Sequence, residues 1–297
     1  MTTARLLEAG LSPGRIRRLV QRGVLSPLGR GVYARGAFAA RLGPRGRHAL
    51  QVAAVLATAE RGVVGSHHSA AFVHGLDVLG RRPSGVTVTH TPGAGRKVGR
   101  AGVRIYTAAL PDGHVTMRGG VAVTSVARTV VDLARTSSFR SGVVVADSAL
   151  HSKLATKAEL AAVLADCARW PGLGQARQVI AFSDALSESV LESLSRVVFR
   201  EQGLPPPKLQ AWVGGGDEGV IGRADFLWEQ FGTIGEADGI VKYADPGGAI
   251  AQLRRDARLR AAGFQVVHFT WDDIVRHPEY VAASLRGAFR RGAQGLG

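Results

Sequence analysis

The sequence predicts an α+β protein of several domains, and three observations point there. At 297 residues the chain is long enough for two or three hydrophobic cores. Helical runs with apolar spacing of three to four residues are interleaved with short alternating runs bounded by Gly and Pro. Positive charge is concentrated at the start, where residues 1–50 hold ten arginines against the single acid Glu8, a net +9.

The whole chain carries 38 Lys and Arg against 23 Asp and Glu, a net +15, and its sequence pI is about 11.2. That balance makes nucleic acid the first candidate partner, through phosphate neutralisation and counterion release. Almost all of it is arginine, which a GC-rich coding bias also produces. The one cysteine, Cys167, excludes an internal disulfide framework and a multi-cysteine zinc site and suits a reducing cytosol. No stretch approaches the roughly 20 apolar residues of a membrane span, and Arg15, Arg17 and Arg18 interrupt any signal-peptide core. The expectation is a soluble, cytoplasmic protein with no membrane partner.

Residues 1–36 read as one compact unit. Ala4–Ala9 is a short helical pattern closed by Gly10. Ser12-Pro13 supplies a cap and a first-turn proline. A second helix, Pro13–Arg22, turns Ile16, Leu19 and Val20 inward and Arg15, Arg18 and Arg22 outward, and Gly23 stops it. Leu25 to Arg35 is a hairpin around Gly29-Arg30-Gly31. Helix, turn, basic helix and hairpin make a winged helix-turn-helix whose second helix would enter the major groove of double-stranded DNA, with Arg30 on the wing. Arg15, Arg17, Arg18, Arg22 and Arg30 are the candidate DNA contacts. The other reading of the same helix is a basic amphipathic face on a protein-binding module.

Residues 37–150 read as a mixed α/β domain. A Gly/Pro/Arg-rich stretch over Arg41–Arg47 leads into a linker helix, Ala49–Glu60. Ser66 caps a helix that Gly75 closes. Val86–His90 and Val103–Tyr106 alternate as strands around a Gly/Arg/Lys loop, Pro92–Arg100. Gly119–Ser125 runs from strand to cap, and Val126–Ala134 is a helix with Arg128 and Asp132 one turn apart. His67, His68 and His74 lie on one Ala-rich helix with no carboxylate cluster beside them, and read as packing or cap residues. Residues 151–185 read as a helical connector in which Thr156 and Glu159 have capping-box spacing.

Residues 186–297 read as a third domain in the order helix, three antiparallel strands, helix, strand, helix. Ser187–Gln202 is an amphipathic helix carrying Glu188 and Glu192 one turn apart. Leu209–Val213 is a strand, Gly214–Glu218 a turn, Ala249–Ala262 a basic helix, Phe264–Thr270 a buried strand, and Trp271 and Glu279–Arg290 lead the closing helices. Between them lies a hairpin with Asp225 in an otherwise apolar strand and Glu236 and Asp238 alternating on the next, so that the last two share a face, with Lys242 just beyond. Converging carboxylates beside a lysine are what a divalent metal site for phosphodiester cleavage needs: Mg²⁺ (or Mn²⁺) held by carboxylate oxygens activates water, and the lysine orients it or offsets charge. The plainer reading is that each acid is solvated or paired with one of the many arginines.

The order of these elements, with Glu192, Asp225 and Glu236-x-Asp238, resembles the PD-(D/E)XK, restriction-endonuclease-like superfamily. It is most similar to the small domain related to very-short-patch-repair (Vsr) endonucleases. Ser189-Val-Leu-Glu192-Ser, Gly203-Leu-Pro-Pro-Pro207, Arg223-Ala-Asp225-Phe-Leu-Trp, Gly235-Glu-Ala-Asp238-Gly, Val241-Lys-Tyr243 and Arg255-Asp256 carry the likeness over about 110 residues. The resemblance implies that Asp225 and Glu236 bind the metal, Glu192 is a helix-borne acid, Asp238 an auxiliary acid and Lys242 a displaced catalytic lysine, Asp238 standing where the usual lysine falls. The first 150 residues resemble the AbiEi-type antitoxins of type IV toxin–antitoxin systems, through Ser12-Pro-Gly-Arg-Ile-Arg-Arg, Gly29-Arg-Gly-Val-Tyr33, Ser69-Ala-Ala-x-x-x-His74-Gly-Leu76 and Val123-Thr-Ser-x-x-Arg128-Thr-x-x-Asp132-Leu-Ala134. That likeness implies operator binding, repression of the protein's own operon and a cognate toxin as partner.

Two functions therefore stand as expectations. One is a DNA-binding protein with a Mg²⁺-dependent endonuclease domain, in phage defence or toxin–antitoxin regulation. The other is a non-catalytic repressor or antitoxin.

Overall fold

The computed structural model describes residues 1–297 except 60–61, 81–84, 93–101, 215–218, 240–245 and 296–297. The chain divides into two compact units, Met1–Phe182 and Ser183–Gly297. Both mix helix and sheet, and the described residues form three sheets of two, five and four strands. The chain is thus a multidomain α+β protein, as its patterning predicts.

The first unit opens with a small winged helix. Helices α1 (Thr3–Glu8) and α2 (Pro13–Gln21) precede the hairpin β1 (Leu25–Gly29) and β2 (Val32–Arg35). The Ser12 hydroxyl accepts the Arg15 backbone N–H at 3.3 Å and Pro13 fills the first turn, so α2 begins where the sequence places it. Leu6, Ile16 and Leu25 form the core, with Leu19, Val20 and Tyr33 packed against it. The Thr3 N–H donates to the Gly31 carbonyl and the Tyr33 N–H to that of Met1, so the N-terminal segment lies along the wing as a third extended edge.

Two expectations for the next segment are corrected. The linker helix expected within residues 37–60 is two helices, α3 (Gly36–Arg41) and α4 (Pro44–Leu56), separated at Leu42 and Gly43, with Pro44 in the first turn of the second, where proline starts a helix rather than breaking it. A further strand, which the sequence does not predict, also precedes the one ending at Thr124. The sheet comprises β3 (Val63–Gly65), β4 (Val86–His90), β5 (Val103–Thr107), β6 (Val115–Arg118) and β7 (Val121–Thr124), in the order β5-β4-β3-β7-β6. The unforeseen β6 is exposed at all four positions, so burial leaves no apolar pattern to read. From residue 93 on, the loop expected over Pro92–Arg100 lies outside the described residues.

Val52 and Val55 of α4 pack on Val63, Val86, Val88, Val121 and Val123. Helix α5 (His67–His74) follows β3 and ends at Gly75 with φ +88°, the left-handed residue the sequence predicts there. Its expected side-chain cap is not made. Ser66 instead bonds the His67 ring at 3.0 Å, and His67 itself has φ +50°. Helix α6 (Val126–Thr136) carries the fully buried Arg128, which donates to Asp132 at 2.8 Å and to the Ala109 carbonyl at 3.0 Å. Arg135 donates to the other oxygen of Asp132 at 3.0 Å, and Trp170 stacks on both guanidiniums. Helices α7 (Phe139–His151), α8 (Lys157–Asp166) and α9 (Leu173–Phe182) complete the unit, and α8 and α9 pack on α6.

The second unit is a four-stranded mixed sheet with helices on both faces. Helix α10 (Val190–Glu201) starts later than the sequence suggests, because Ser189 is its cap. Strands β8 (Lys208–Gly214), β9 (Val220–Trp228) and β10 (Thr233–Asp238) are antiparallel, and β11 (Gln265–Thr270) lies parallel to β10. A parallel neighbour needs a crossover, and the return to β11 passes through α11 (Pro246–Ala261). Helices α12 (Trp271–Arg276) and α13 (Pro278–Gly295) follow it. One sheet face packs Phe226, Trp228 and Phe269 against Phe199 of α10 and Phe289 of α13. The other packs Leu227, Ile234 and Val266 under Leu259 of α11. Strand β11, expected to be buried throughout, is buried only at Phe269, since it is an edge strand.

Candidate functional site

Two places draw the chemistry-bearing residues together. The first is the winged helix. Arg15, Arg17, Arg18 and Arg22 are all exposed along α2 and its C-terminal end, and Arg30 is exposed at the bend between β1 and β2. The apolar residues of α2 face inward, with Ile16 buried and Leu19 and Val20 half-buried, so the 3.6-residue period leaves the guanidiniums on the opposite face. A helix of 9 residues with four arginines on it and its cap, beside a short hairpin with a fifth, has the form that lays a helix in a major groove and a wing on the backbone.

Charge is divided unevenly between the two units. Residues 1–182 hold 25 Lys and Arg against 8 Asp and Glu, a net +17, whereas residues 183–297 hold 13 against 15, a net −2. The long-range attraction for a polyanion therefore belongs to the first unit.

The second place is an acidic corner where the C-terminal end of β10 lies beside the middle of β9. Regular pairing of these strands stops at Gly235 and Phe226. Beyond it the half-buried Asp225 carboxylate accepts the Ala237 backbone N–H at 2.9 Å. On its other side Asp225 faces Gln210, whose φ of +50° is rare for a residue with a side chain and marks stored strain. Glu192 lies at the first turn of α10, where its carboxylate accepts from the Glu188 N–H at 2.9 Å, the Ser189 hydroxyl at 2.7 Å and the Gln210 amide at 2.8 Å. Burial pushes the Glu192 carboxyl above its ordinary value, the nearby Asp225 adds to that, and the three hydrogen bonds oppose it. Glu192 and Asp225 are therefore close enough to feel each other's charge.

Glu236 and Asp238 are both buried, and each meets a cation or a donor of its own. Arg255 of α11 reaches over β9 to Glu236, donating from Nη2 to Oε1 at 3.0 Å and to the Arg223 carbonyl at 2.5 Å. Gly222 makes room for it: a Cβ there would stand 2.6 Å from Arg255 Nε. Asp238 accepts from Nδ1 of His268 at 2.9 Å, and His268 Nε2 bonds Asp256 at 2.7 Å. The Asp238 hydrogen bond, opposed by burial and reinforced by Asp256, holds the His268 imidazole above its ordinary value. Arg223 is paired with Glu188 at 2.8 Å through both guanidinium nitrogens.

Lys242 lies outside the described residues. Arg255, Gln210, Asp256 and His268 are neighbours that spacing did not single out. The signals were there in a lone histidine within an apolar strand and an Arg-Asp pair on a helix. Among the described residues no group of three or more His, Cys, Asp or Glu side chains is placed to hold a metal ion. In this arrangement Glu236 is held by Arg255, Asp238 by His268, and Asp225 accepts the Ala237 backbone N–H. No described helix is long and apolar enough to cross a membrane.

Comparison with known proteins bears on the first place. Residues 2–36 match the family model of transcriptional regulators described as AbiEi antitoxins. The N-terminal segment is similar to that family. The match spans α1, α2, β1 and β2 and holds all five candidate DNA-contacting arginines. Two uncharacterised proteins of Mycobacterium tuberculosis, from strains CDC 1551 and H37Rv, are each 31% identical to this chain over 166 residues. The match covers 56% of this chain and 61% of theirs, so the chain spans less than two thirds of either relative.

Proposed function

We propose that this protein is a DNA-binding transcriptional regulator of the antitoxin type, which docks double-stranded DNA through α2 and the β1–β2 wing. The observation that carries the reading is the exposed arginine face of α2, within the segment that matches AbiEi antitoxin regulators and in the unit that holds all of the net positive charge. Arg15, Arg17, Arg18 and Arg22 contact the groove and its phosphates, and Arg30 the flanking backbone. An operator in the protein's own promoter and a cognate toxin complete the proposal. It is tested by titrating labelled promoter duplex with wild type and with Arg17→Ala/Arg18→Ala. The expected results are a steep loss of affinity with salt and a weaker, shallower dependence in the variant. Binding that is flat in salt, or unaffected by the substitutions, would sink it.

A second reading is favoured by the order of elements in residues 183–297 and by the closeness of Glu192 and Asp225. In it the unit has a Vsr-like PD-(D/E)XK fold with Mg²⁺- or Mn²⁺-dependent endonuclease activity, assigned to Glu192, Asp225, Glu236, Asp238 and Lys242. Incubating plasmid DNA with either metal and with wild type or Asp225→Ala decides it. Cleavage by wild type alone would establish the enzyme, and a mobility shift without cleavage leaves the regulator.

A further inference from the structure

The acidic corner holds a cation that the chain itself supplies. Arg255 is 24% exposed and Glu236 3% exposed at the side chain, so their 3.0 Å contact is shielded on the carboxylate side. The guanidinium is seated rather than draped. It crosses β9 over Gly222, where a Cβ would stand 2.6 Å from Arg255 Nε and push the side chain aside, and the Arg223 carbonyl accepts from the same nitrogen that reaches Glu236. Each neighbouring acid is likewise engaged: Asp238 with His268, Asp225 with the Ala237 N–H, and Glu192 with three donors. A divalent ion at Glu236 would have to displace an always-charged, bidentate-capable group that is held at the same time by the Arg223 carbonyl.

We infer that Arg255 is the resident counter-cation of Glu236, standing where phosphodiester chemistry would require a metal, and that the second unit takes no divalent cation there. The −2 net charge of residues 183–297 agrees, since a unit that handled DNA would have to overcome repulsion from its phosphates. The inference concerns the second unit alone, so DNA binding by α2 stands or falls separately.

The full-length protein provides the test, in two measurements. The first is Mn²⁺ titration of wild type and Glu236→Gln, read by the electron paramagnetic resonance signal of free Mn²⁺. The expected result is no saturable binding that depends on Glu236. The second is thermal unfolding, in EDTA, of Arg255→Gln, Glu236→Gln and the double variant. Arg255→Gln should lower Tm by removing the guanidinium from a buried carboxylate, and adding Glu236→Gln should restore most of the loss. Saturable Mn²⁺ binding to wild type that Glu236→Gln abolishes would overturn the inference, as would an Arg255→Gln protein as stable as wild type. Should Arg255→Gln fail to fold, the Mn²⁺ titration of wild type and Glu236→Gln decides alone.

Discussion

Two residues in the first unit carry strained or buried polar chemistry whose consequences can be measured. Burial, partly opposed by Asp132, pushes the His67 imidazole down to about 4. The unfolded chain then binds more protons than the folded one between 6.5 and 4, so stability falls as pH drops through that window, by about 3 kcal/mol at its lower end. His67→Asn keeps a residue that tolerates φ +50° and removes the titrating ring. Urea unfolding across the window should show a flatter pH dependence, and an unchanged slope would reject the assignment. Arg128 and Asp132 are a fully buried pair. Arg128→Ala leaves the carboxylate with Arg135 as its other cation and should destabilise by about 3–5 kcal/mol in chemical denaturation. His268, in the second unit, has the opposite sign. Its raised folded-state value gives a contribution that is full below 6.5 and is lost as pH rises through the folded value. His268→Gln should abolish that alkaline loss of stability.

Among the elements, α2 is the one on which the proposed DNA binding turns. Its arginines are exposed, so each Arg→Ala substitution should leave stability within about 0.5 kcal/mol. Each should also lower the slope of log affinity against log salt by about one for every phosphate that the variant no longer neutralises. Fluorescence anisotropy across a salt series measures both affinity and slope. Elements whose ends rest on local chemistry were legible in the sequence: the Ser12 cap with Pro13, the Thr156–Glu159 capping box and the Gly75 stop are all present. Those that rest on tertiary support were not. Strand β6 exists because β7 offers it a ladder across the Gly119-Gly120 turn, both glycines having positive φ. Ser66 fails as a cap because the chain turns left-handed at His67 to stack its ring on Tyr106, 3.7 Å between centroids.

Over the whole molecule, net charge differs between the two units, +17 for residues 1–182 and −2 for residues 183–297. Arg254 and Arg258 are exposed on the basic helix α11, which sequence alone could assign to DNA. Because their unit is net −2, an Arg254→Ala/Arg258→Ala variant should bind duplex DNA with unchanged affinity and salt slope. A slope lowered by about two would place α11 in the interface. The sequence by itself determined the mixed fold, the winged helix and the identity of its basic face, because periodicity, caps and side-chain charge are properties of short stretches. What only the tertiary structure decided is the state of the acidic corner. Spacing puts Glu236 and Asp238 on one face, but Arg255 and His268 reach them from α11 and β11, 19 and 30 residues along the chain, and that approach exists only once the sheet has closed. A carboxylate's chemistry is set by the charges and donors that surround it, and those are assembled by folding.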